Sequence, residues 1–254
     1  MPCPPAAGIP LSDTLARMQE LTPAGLDTLT GRTFAAVLFD LDGTLIDSTP
    51  SVMRSWLSWA GHYGIDVAQL QNWHGIPARG VVAHFIPEAE RAAAEAHITE
   101  LEIADAPGIE SLPGAVAALE ALTGSGRCAI VTSGTHRLVE ARLAATGLPR
   151  PEIIVTASDV THGKPAPDAF LLAAQRLGVD PAECLVVEDA PAGLTAGKAA
   201  GCATLAVVST HTAADLNANP DADAVVDTLA DVRFTADARH GVRLASVAAP
   251  ATAE

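Results

Sequence analysis

The sequence predicts an α/β protein, a doubly wound parallel sheet that carries an inserted all-α domain. From Thr33 onward, short apolar runs typical of buried strands alternate with amphipathic helical stretches. This alternation is the pattern of a parallel sheet covered by helices on both faces. It is interrupted once, between Ser48 and Leu112, where helix formers dominate and no good strand occurs. With 254 residues, 49% of them hydrophobic, the chain can bury a core of this size.

Six apolar runs are predicted to be the strands of the sheet, because each is short and ends beside small or polar residues. They are Phe34–Phe39, Cys128–Val131, Ile153–Val155, Cys184–Val187, Thr204–Val208 and Ala224–Val226. The predicted helices between them include Gly114–Thr123, Arg137–Thr146, Pro167–Leu177 and Ala192–Ala200. Pro191 near the start of the last helix and Gly201 at its end are typical start and stop signals.

The interruption divides the predicted core into two pieces. Residues 33–47 and 113–234 form the α/β core, and residues 48–112 form a helical cap domain inserted between them. Trp56 and Trp59 are three residues apart on a predicted helix of this insert. This spacing favours packing against the sheet domain over stacking on a substrate.

Both ends of the chain are predicted to lie outside the core. Residues 1–32 form an N-terminal extension, partly disordered, in which Leu11, Leu15 and Met18 have the spacing of a short docked helix. Residues 235–254 are rich in alanine with scattered glycine and proline, so we expect a disordered tail.

The charge balance argues against nucleic acid and membranes as partners. Fifteen lysines and arginines stand against 30 aspartates and glutamates, giving a net charge of −15, which repels phosphate backbones and anionic lipid. The longest apolar runs are far shorter than the ~20 residues that a membrane helix needs. The first ten residues lack the basic and apolar regions of a secretory signal, so we expect a cytoplasmic protein.

Two carboxylates follow the first predicted strand. They lie in the segment Asp40-Leu41-Asp42-Gly43-Thr44. In an open parallel sheet, ligands bind beyond the carboxyl ends of the strands, which is where this pair falls. Taken alone, the segment is also compatible with an ordinary acidic turn.

Polar residues also follow later strands. The second strand runs into Thr132-Ser133-Gly134, whose hydroxyls and backbone amides suit a phosphoryl oxygen, and the fourth ends in the acidic pair Glu188-Asp189. Between them, Gly163-Lys164-Pro165 places one of the chain's two lysines in a loop. Because the carboxyl ends of parallel strands meet at one edge of the sheet, these groups are expected to converge on one site.

These four segments, in this order, resemble the motifs of the haloacid dehalogenase superfamily. The resemblance covers residues 34 to about 230 and includes a cap inserted between the first and second motifs. It implies that Asp40 is the nucleophile, that Asp42 is the general acid and base, and that Lys164 stabilises charge. It also implies a phosphate site and a metal site. The phosphate site would use Thr132 with Gly43, Ser133 and Gly134, and the metal site Asp40, the Asp42 backbone carbonyl, Glu188 and Asp189.

The implied chemistry is hydrolysis of a phosphate monoester through an aspartyl phosphate. Attack by Asp40 divides one difficult hydrolysis into two easier steps. Oxygen ligands suit Mg²⁺, which with Lys164 offsets the negative charge of the nucleophile and the substrate. Asp42 protonates the leaving alkoxide and later takes a proton from water. Relatives that displace halide or cleave carbon–phosphorus bonds lack this second aspartate, so phosphate-ester chemistry is favoured.

The resemblance leaves two alternatives to a phosphatase. A phosphosugar mutase of the β-phosphoglucomutase type needs a second cationic site in the cap, but this cap contains no lysine and only Arg54, Arg79 and Arg91. The pair His74-Gly75 looks more like phosphatases of small sugar and polyol phosphates, and it makes His74 and Arg79 candidate substrate contacts. The other alternative is an inactive phosphate-binding regulatory module. We therefore expect a Mg²⁺-dependent phosphatase of a small phosphorylated metabolite, as a monomer or homodimer.

Overall fold

A computed structural model describes residues 25–70, 78–237 and 239–247 of the chain. The helix predicted around Leu11, most of the N-terminal extension, and His74 lie outside the described residues. The end of the extension does form a short helix, α1 (Leu26–Thr30), whose Leu26 and Leu29 are fully buried.

The core is a six-stranded parallel sheet. Its strands are β1 (Ala36–Phe39), β4 (Cys128–Val131), β5 (Ile153–Val155), β6 (Cys184–Glu188), β7 (Ala203–Val207) and β8 (Ala224–Val226). They lie in the order β5-β4-β1-β6-β7-β8. The first strand therefore lies near the middle of the sheet, with Phe39 level with Ile130 on one side and with Val187 on the other. The predicted α/β fold with a doubly wound parallel sheet is confirmed.

Helices cover both faces of the sheet, which explains why its strands read as unbroken apolar runs. The helices of the core are α5 (Ala115–Thr123), α6 (His136–Thr146), α7 (Asp168–Leu177), α8 (Pro191–Ala199) and α9 (Ala213–Asn217). On one face, Val37 and Phe39 of β1 join an apolar cluster with Leu119 of α5. On the other face, Leu38 packs in a second cluster with Phe170 of α7.

The residues between β1 and β4 leave the sheet as a helical insert. Its helices are α2 (Thr49–Tyr63), α3 (Ala78–Phe85) and α4 (Arg91–Asp105). A short antiparallel ladder between β2 (Ile46–Asp47) and β3 (Glu110–Ser111) closes its base. The insert has its own apolar cluster, in which Trp59 is fully buried and donates a hydrogen bond to the Ala94 carbonyl. The tryptophan packing predicted against the sheet domain is therefore found inside the insert instead.

The C-terminal region differs from the prediction. Two strands, β9 (Val232–Asp237) and β10 (Gly241–Ser246), pair as an antiparallel hairpin, so the prediction of disorder from residue 235 is wrong for these strands. Val242 and Leu244 are buried, and Val242 bridges to Phe34 just before β1. Apolar and polar residues alternate in both strands, because only one face of the hairpin packs against the core.

Candidate active site

Three neighbouring strands of the sheet carry the predicted site residues on their carboxyl ends. Asp40 follows β1, Thr132 follows β4, and Glu188 ends β6 with Asp189 directly after it. Because β4, β1 and β6 are adjacent in the sheet, these side chains converge at one edge. All four are buried.

Lys164 reaches this edge from the loop after β5. Its ammonium donates to Asp40 Oδ1 at 2.5 Å, to Glu188 Oε1 at 2.7 Å and to the Val131 carbonyl at 3.0 Å. Burial alone would lower the pKa of Lys164, but the charges of Asp40 and Glu188 outweigh it and raise the pKa above its usual value. Lys164 is therefore a permanent positive charge beside Asp40.

Glu188 is fixed by donors on both of its oxygens. Oε1 accepts from Lys164, and Oε2 accepts from the backbone N–H groups of Asp189 and Ala190, each at 2.9 Å. The carboxylate lies so close to Gly193, in the first turn of α8, that a Cβ on Gly193 would overlap it. Gly193 is thus a site residue that the sequence analysis missed, because a glycine inside a helix carries no chemical signal of its own.

Asp189 is held by two threonines. Oδ1 accepts from the Thr44 hydroxyl at 3.2 Å, and Oδ2 accepts from the Thr210 hydroxyl. Gly43 has a positive φ of 84°, and a Cβ there would overlap the Asp189 carboxylate. Burial and the charge of Glu188 raise the pKa of Asp189 to about 7, against the threonine hydrogen bonds. The sequence analysis did not identify Thr210, which lies beyond β7 and outside the four motifs.

The buried acidic residues form a plausible metal site. One oxygen each from Asp40, Glu188 and Asp189 lie within 4.8 Å of one another. Burial raises the pKa of Asp40 well above its usual value, and the neighbouring carboxylates act in the same direction against Lys164. A cation would relieve this excess of negative charge. Among the described residues, both oxygens of Glu188 and both oxygens of Asp189 accept hydrogen bonds, and Oδ1 of Asp40 accepts from Lys164. Three carboxylates this close together fit a hard dication bound by Asp40, Glu188 and Asp189.

The Asp42 side chain lies on the side of the site that faces the insert. Its Oδ1 accepts from the Ser48 hydroxyl at 2.6 Å, and its Oδ2 accepts from Arg142 at 2.7 Å and from the Thr132 hydroxyl at 3.5 Å. Ser48 precedes α2, and Arg142 lies on α6. Asp42 is therefore fixed by residues of both the insert and the core.

The loop after β4 presents polar groups to the same edge. The Thr132 hydroxyl accepts from the Gly134 N–H at 3.0 Å, which curls the loop over the strand end. Ser133 and Gly134 are half-buried there. The structure thus brings together the predicted core site residues, namely Asp40, Asp42, Gly43, Thr132, Ser133, Gly134, Lys164, Glu188 and Asp189.

Comparison with known proteins agrees with this arrangement. Residues 34–201 match the family model described as haloacid dehalogenase-like hydrolase, which is more than half of the chain. The chain belongs to the haloacid dehalogenase-like hydrolases. The predicted family and the predicted enzyme class, a hydrolase, are both confirmed.

Two curated relatives are aligned with this hydrolase over nearly their whole length. Hexitol phosphatase A of Escherichia coli K12 is 44% identical over 203 residues, which are 78% of this chain and 93% of the relative. Fructose-1-phosphate phosphatase YqaB of the same organism is 36% identical over 177 residues, 66% of this chain and 93% of the relative. Among solved structures, a putative β-phosphoglucomutase from Thermotoga maritima has a TM-score of 0.58 and 28% identity over 77% of this chain and 95% of that one.

Of the two predicted substrate contacts in the insert, only Arg79 lies within the described residues, and it is not part of this cluster. Arg79 is exposed at the start of α3 and makes no hydrogen bond or ion pair with other described residues of the hydrolase. His74 lies outside the described residues.

None of the helices in the described part of the chain has the length and apolar character needed to cross a bilayer.

A second carboxylate of the insert reaches the site indirectly. Glu102 on α4 is buried, and its Oε1 lies 3.6 Å from Arg142 Nη2. Burial raises the pKa of Glu102 to about 7; the charge of Asp42 adds to this effect, and Arg142 opposes it. Neither Glu102 nor Arg142 was predicted, because both lie within helices whose other charged residues are partly or fully exposed.

The raised pKa of Glu102 predicts a specific pH dependence of stability. The unfolded chain loses this proton near pH 4.5 and the folded protein near pH 7, so the free energy of unfolding should fall as pH rises between these values. Glu102→Gln removes this titration. The stability of the variant relative to the unaltered protein should therefore rise by ~3 kcal/mol from pH 4.5 to pH 8, as measured by urea unfolding. Glu100→Gln, an exposed position on the same helix, is the control. A difference that does not change with pH would contradict the burial of the Glu102 charge.

Proposed function

We propose that this hydrolase is a Mg²⁺-dependent phosphatase that cleaves a small sugar or polyol phosphate through an aspartyl phosphate on Asp40. The observation that carries the proposal is the environment of Asp40, a buried carboxylate with Asp189 beside it. One of its oxygens accepts from Lys164, and the other accepts no hydrogen bond from the part of the chain that the structure describes. Such an oxygen is available to attack an incoming phosphorus atom.

In the first step, Asp40 Oδ2 attacks phosphorus while the bond from phosphorus to the ester oxygen breaks. The electron pair of that bond leaves on the alkoxide, which takes a proton from Asp42 as general acid. When bound, Mg²⁺ would supply positive charge at the acidic cluster and so favour the approach of the phosphate dianion. Lys164 supplies a further positive charge at 2.5 Å from the nucleophile.

In the second step, a water molecule attacks the phosphorus of the aspartyl phosphate. Asp42, now ionised, takes a proton from that water, and the bond from phosphorus to Asp40 breaks, which returns the carboxylate and releases phosphate. We assign the binding of the phosphoryl oxygens in both steps to the hydroxyls of Thr132 and Ser133, which follow β4 beside Asp42. The two steps together consume one water molecule, release the alcohol and phosphate, and return Asp40 and Asp42 to their starting states.

The substrate class rests on the relatives and on the insert. The names of two curated relatives specify hexitol phosphatase and fructose-1-phosphate phosphatase. We infer that the insert covers the leaving group, so that bulk water is excluded in the first step and small substrates are favoured over phosphoproteins. His74 and Arg79 remain candidate contacts to the hydroxyl groups. A small phosphorylated metabolite is therefore the proposed partner.

The test is phosphate release from a panel of hexitol, hexose and glycerol phosphates, each with Mg²⁺ and with excess chelator. We expect turnover of at least one polyol or sugar phosphate, lost with chelator and restored by added Mg²⁺. Isomerised product without free phosphate, stimulated by a sugar bisphosphate, would instead indicate a mutase, an outcome that the structural likeness to a putative β-phosphoglucomutase makes worth measuring. Binding of phosphate and metal without turnover of any panel member would identify an inactive binding module.

A further inference from the structure

A buried arginine joins Asp42 to the helical insert. Arg142 lies on α6 and is 3% exposed. Its Nη1 donates to Asp42 Oδ2 at 2.7 Å, and its Nη2 lies 3.6 Å from Glu102 Oε1 on α4. The third nitrogen, Nε, has no hydrogen-bond partner among the described residues. The guanidinium therefore connects a carboxylate of the core edge to a carboxylate of the insert.

The stability of the contact between the two helices does not account for this arrangement. Arg137 and Glu100 join the same pair of helices, α6 and α4, through an exposed ion pair at 2.5 Å. Burying the charges of Arg142 and Glu102 adds a desolvation cost, and buried ion pairs often contribute little net stability. The hydrogen bond from Nη1 to Asp42 therefore points to a role of Arg142 at Asp42.

The location of Arg142 limits the movement of Asp42. Ser48 holds Oδ1 of Asp42 and Arg142 holds Oδ2, so both oxygens are fixed. Nη1 also lies under the phosphate loop, where a Cβ on Gly134 would be 3.6 Å from it. Without Arg142, the Asp42 carboxylate keeps the Ser48 hydrogen bond and only a long contact to Thr132.

We propose that Arg142 is a positioning residue that holds the Asp42 carboxylate beside the phosphate loop, and that Glu102 in turn fixes the guanidinium of Arg142. The position of α4 against α6 is thereby transmitted to Asp42. The inference rests on the proposed function in one respect, since Asp42 is there the acid and base of both steps. It adds two residues outside the four motifs to the machinery.

The first experiment compares Arg142→Met with Arg137→Met, the matched control on the same helix. Since a displaced acid–base group costs turnover more than binding, kcat of Arg142→Met should fall ~100-fold with KM within ~3-fold. Arg142→Lys keeps the positive charge but cannot contact Asp42 and Glu102 with two separate nitrogens, so its kcat should be ~10-fold higher than that of Arg142→Met. Arg137→Met should stay within ~2-fold of the unaltered enzyme. A kcat for Arg142→Met within ~3-fold of the unaltered enzyme contradicts the proposal.

The second experiment separates positioning from charge neutralisation. Arg142→Met leaves Glu102 buried without its partner, which can destabilise the fold. The double variant Arg142→Met/Glu102→Met removes both charges and should unfold at a temperature close to that of the unaltered protein while kcat stays low. Glu102→Gln alone should lower kcat ~5-fold and should cause no further loss in the Arg142→Met background, because it acts through Arg142. Recovery of kcat in the double variant would show that Arg142 only neutralises Glu102.

A crystal structure of Arg142→Met provides a readout that does not require turnover. We expect the Asp42 carboxylate to have rotated away from Thr132, whereas an unmoved carboxylate would overturn the inference. Failure of the unaltered protein to release phosphate from any panel member would instead count against the proposed function. The two failures are therefore distinguishable.

Discussion

Replacing Asp40 with asparagine is expected to lower kcat for phosphate release by at least ~10⁴-fold. The amide has nearly the same shape as the carboxylate but is not an anionic nucleophile, so the aspartyl phosphate cannot form. Lys164 and Glu188 would remain in contact, so the site should keep its fold. Phosphate release under saturating substrate and Mg²⁺ measures the loss.

A trapping measurement connects this loss to the intermediate. Acid quenching during turnover of a labelled substrate should leave base-labile phosphate on the unaltered enzyme and none on Asp40→Asn. Asp40→Ala excludes deamidation of the asparagine as a source of residual activity. Asp27→Asn, an exposed aspartate on α1, is the control and should behave as the unaltered enzyme. Undiminished release by Asp40→Asn would disprove the mechanism, since no other described carboxylate occupies the same position.

Replacing Lys164 with methionine should lower kcat by ~10³-fold. The methionine fills a similar volume but removes the positive charge that lies 2.5 Å from Asp40 and 2.7 Å from Glu188. Asp40 and Glu188 then lie buried together with no cationic side chain between them, so we also expect a lower unfolding temperature in the absence of metal. Added Mg²⁺ should reverse part of this fall in unfolding temperature, because its positive charge replaces part of the charge lost with Lys164.

The other lysine of the chain provides a matched control. Lys198 also forms an ion pair, at 2.5 Å with Asp223, but lies on α8 away from the acidic edge and is partly exposed. Lys198→Met should keep kcat within ~2-fold of the unaltered enzyme, since partly exposed ion pairs contribute little. Equal losses of kcat in the two lysine variants would contradict the placement of Lys164 at the reacting atoms.

The sheet and the acidic edge could be predicted from the sequence for one physical reason. A strand buried on both faces must be apolar throughout, so β1 and β6 appear as uninterrupted runs, and the polar residues that end them necessarily lie at one edge. Asp40 and Glu188 are therefore placed by the end of the apolar pattern itself. The same reasoning gives no information about residues that reach the site from elsewhere.

Arg142 and Glu102 illustrate what the sequence does not show. Each is one charged residue within an amphipathic helix, where charged residues ordinarily face solvent. Only the packing of α4 against α6 turns both side chains inward. Gly193 could not be predicted for a related reason. It matters because a side chain there would occupy the space of the Glu188 carboxylate, and that space is defined only once β6 and α8 are packed together.

The hairpin of β9 and β10 has a consequence for synthesis on the ribosome. Phe34, the residue that leads into the strand of the nucleophile, bridges to Val242, which is translated ~200 residues later. Central β1 also pairs with β6 from the second half of the chain. The apolar strand β1 therefore stays without these partners until the second half of the chain has been translated. Chaperone occupancy should be highest until the hairpin emerges from the exit tunnel.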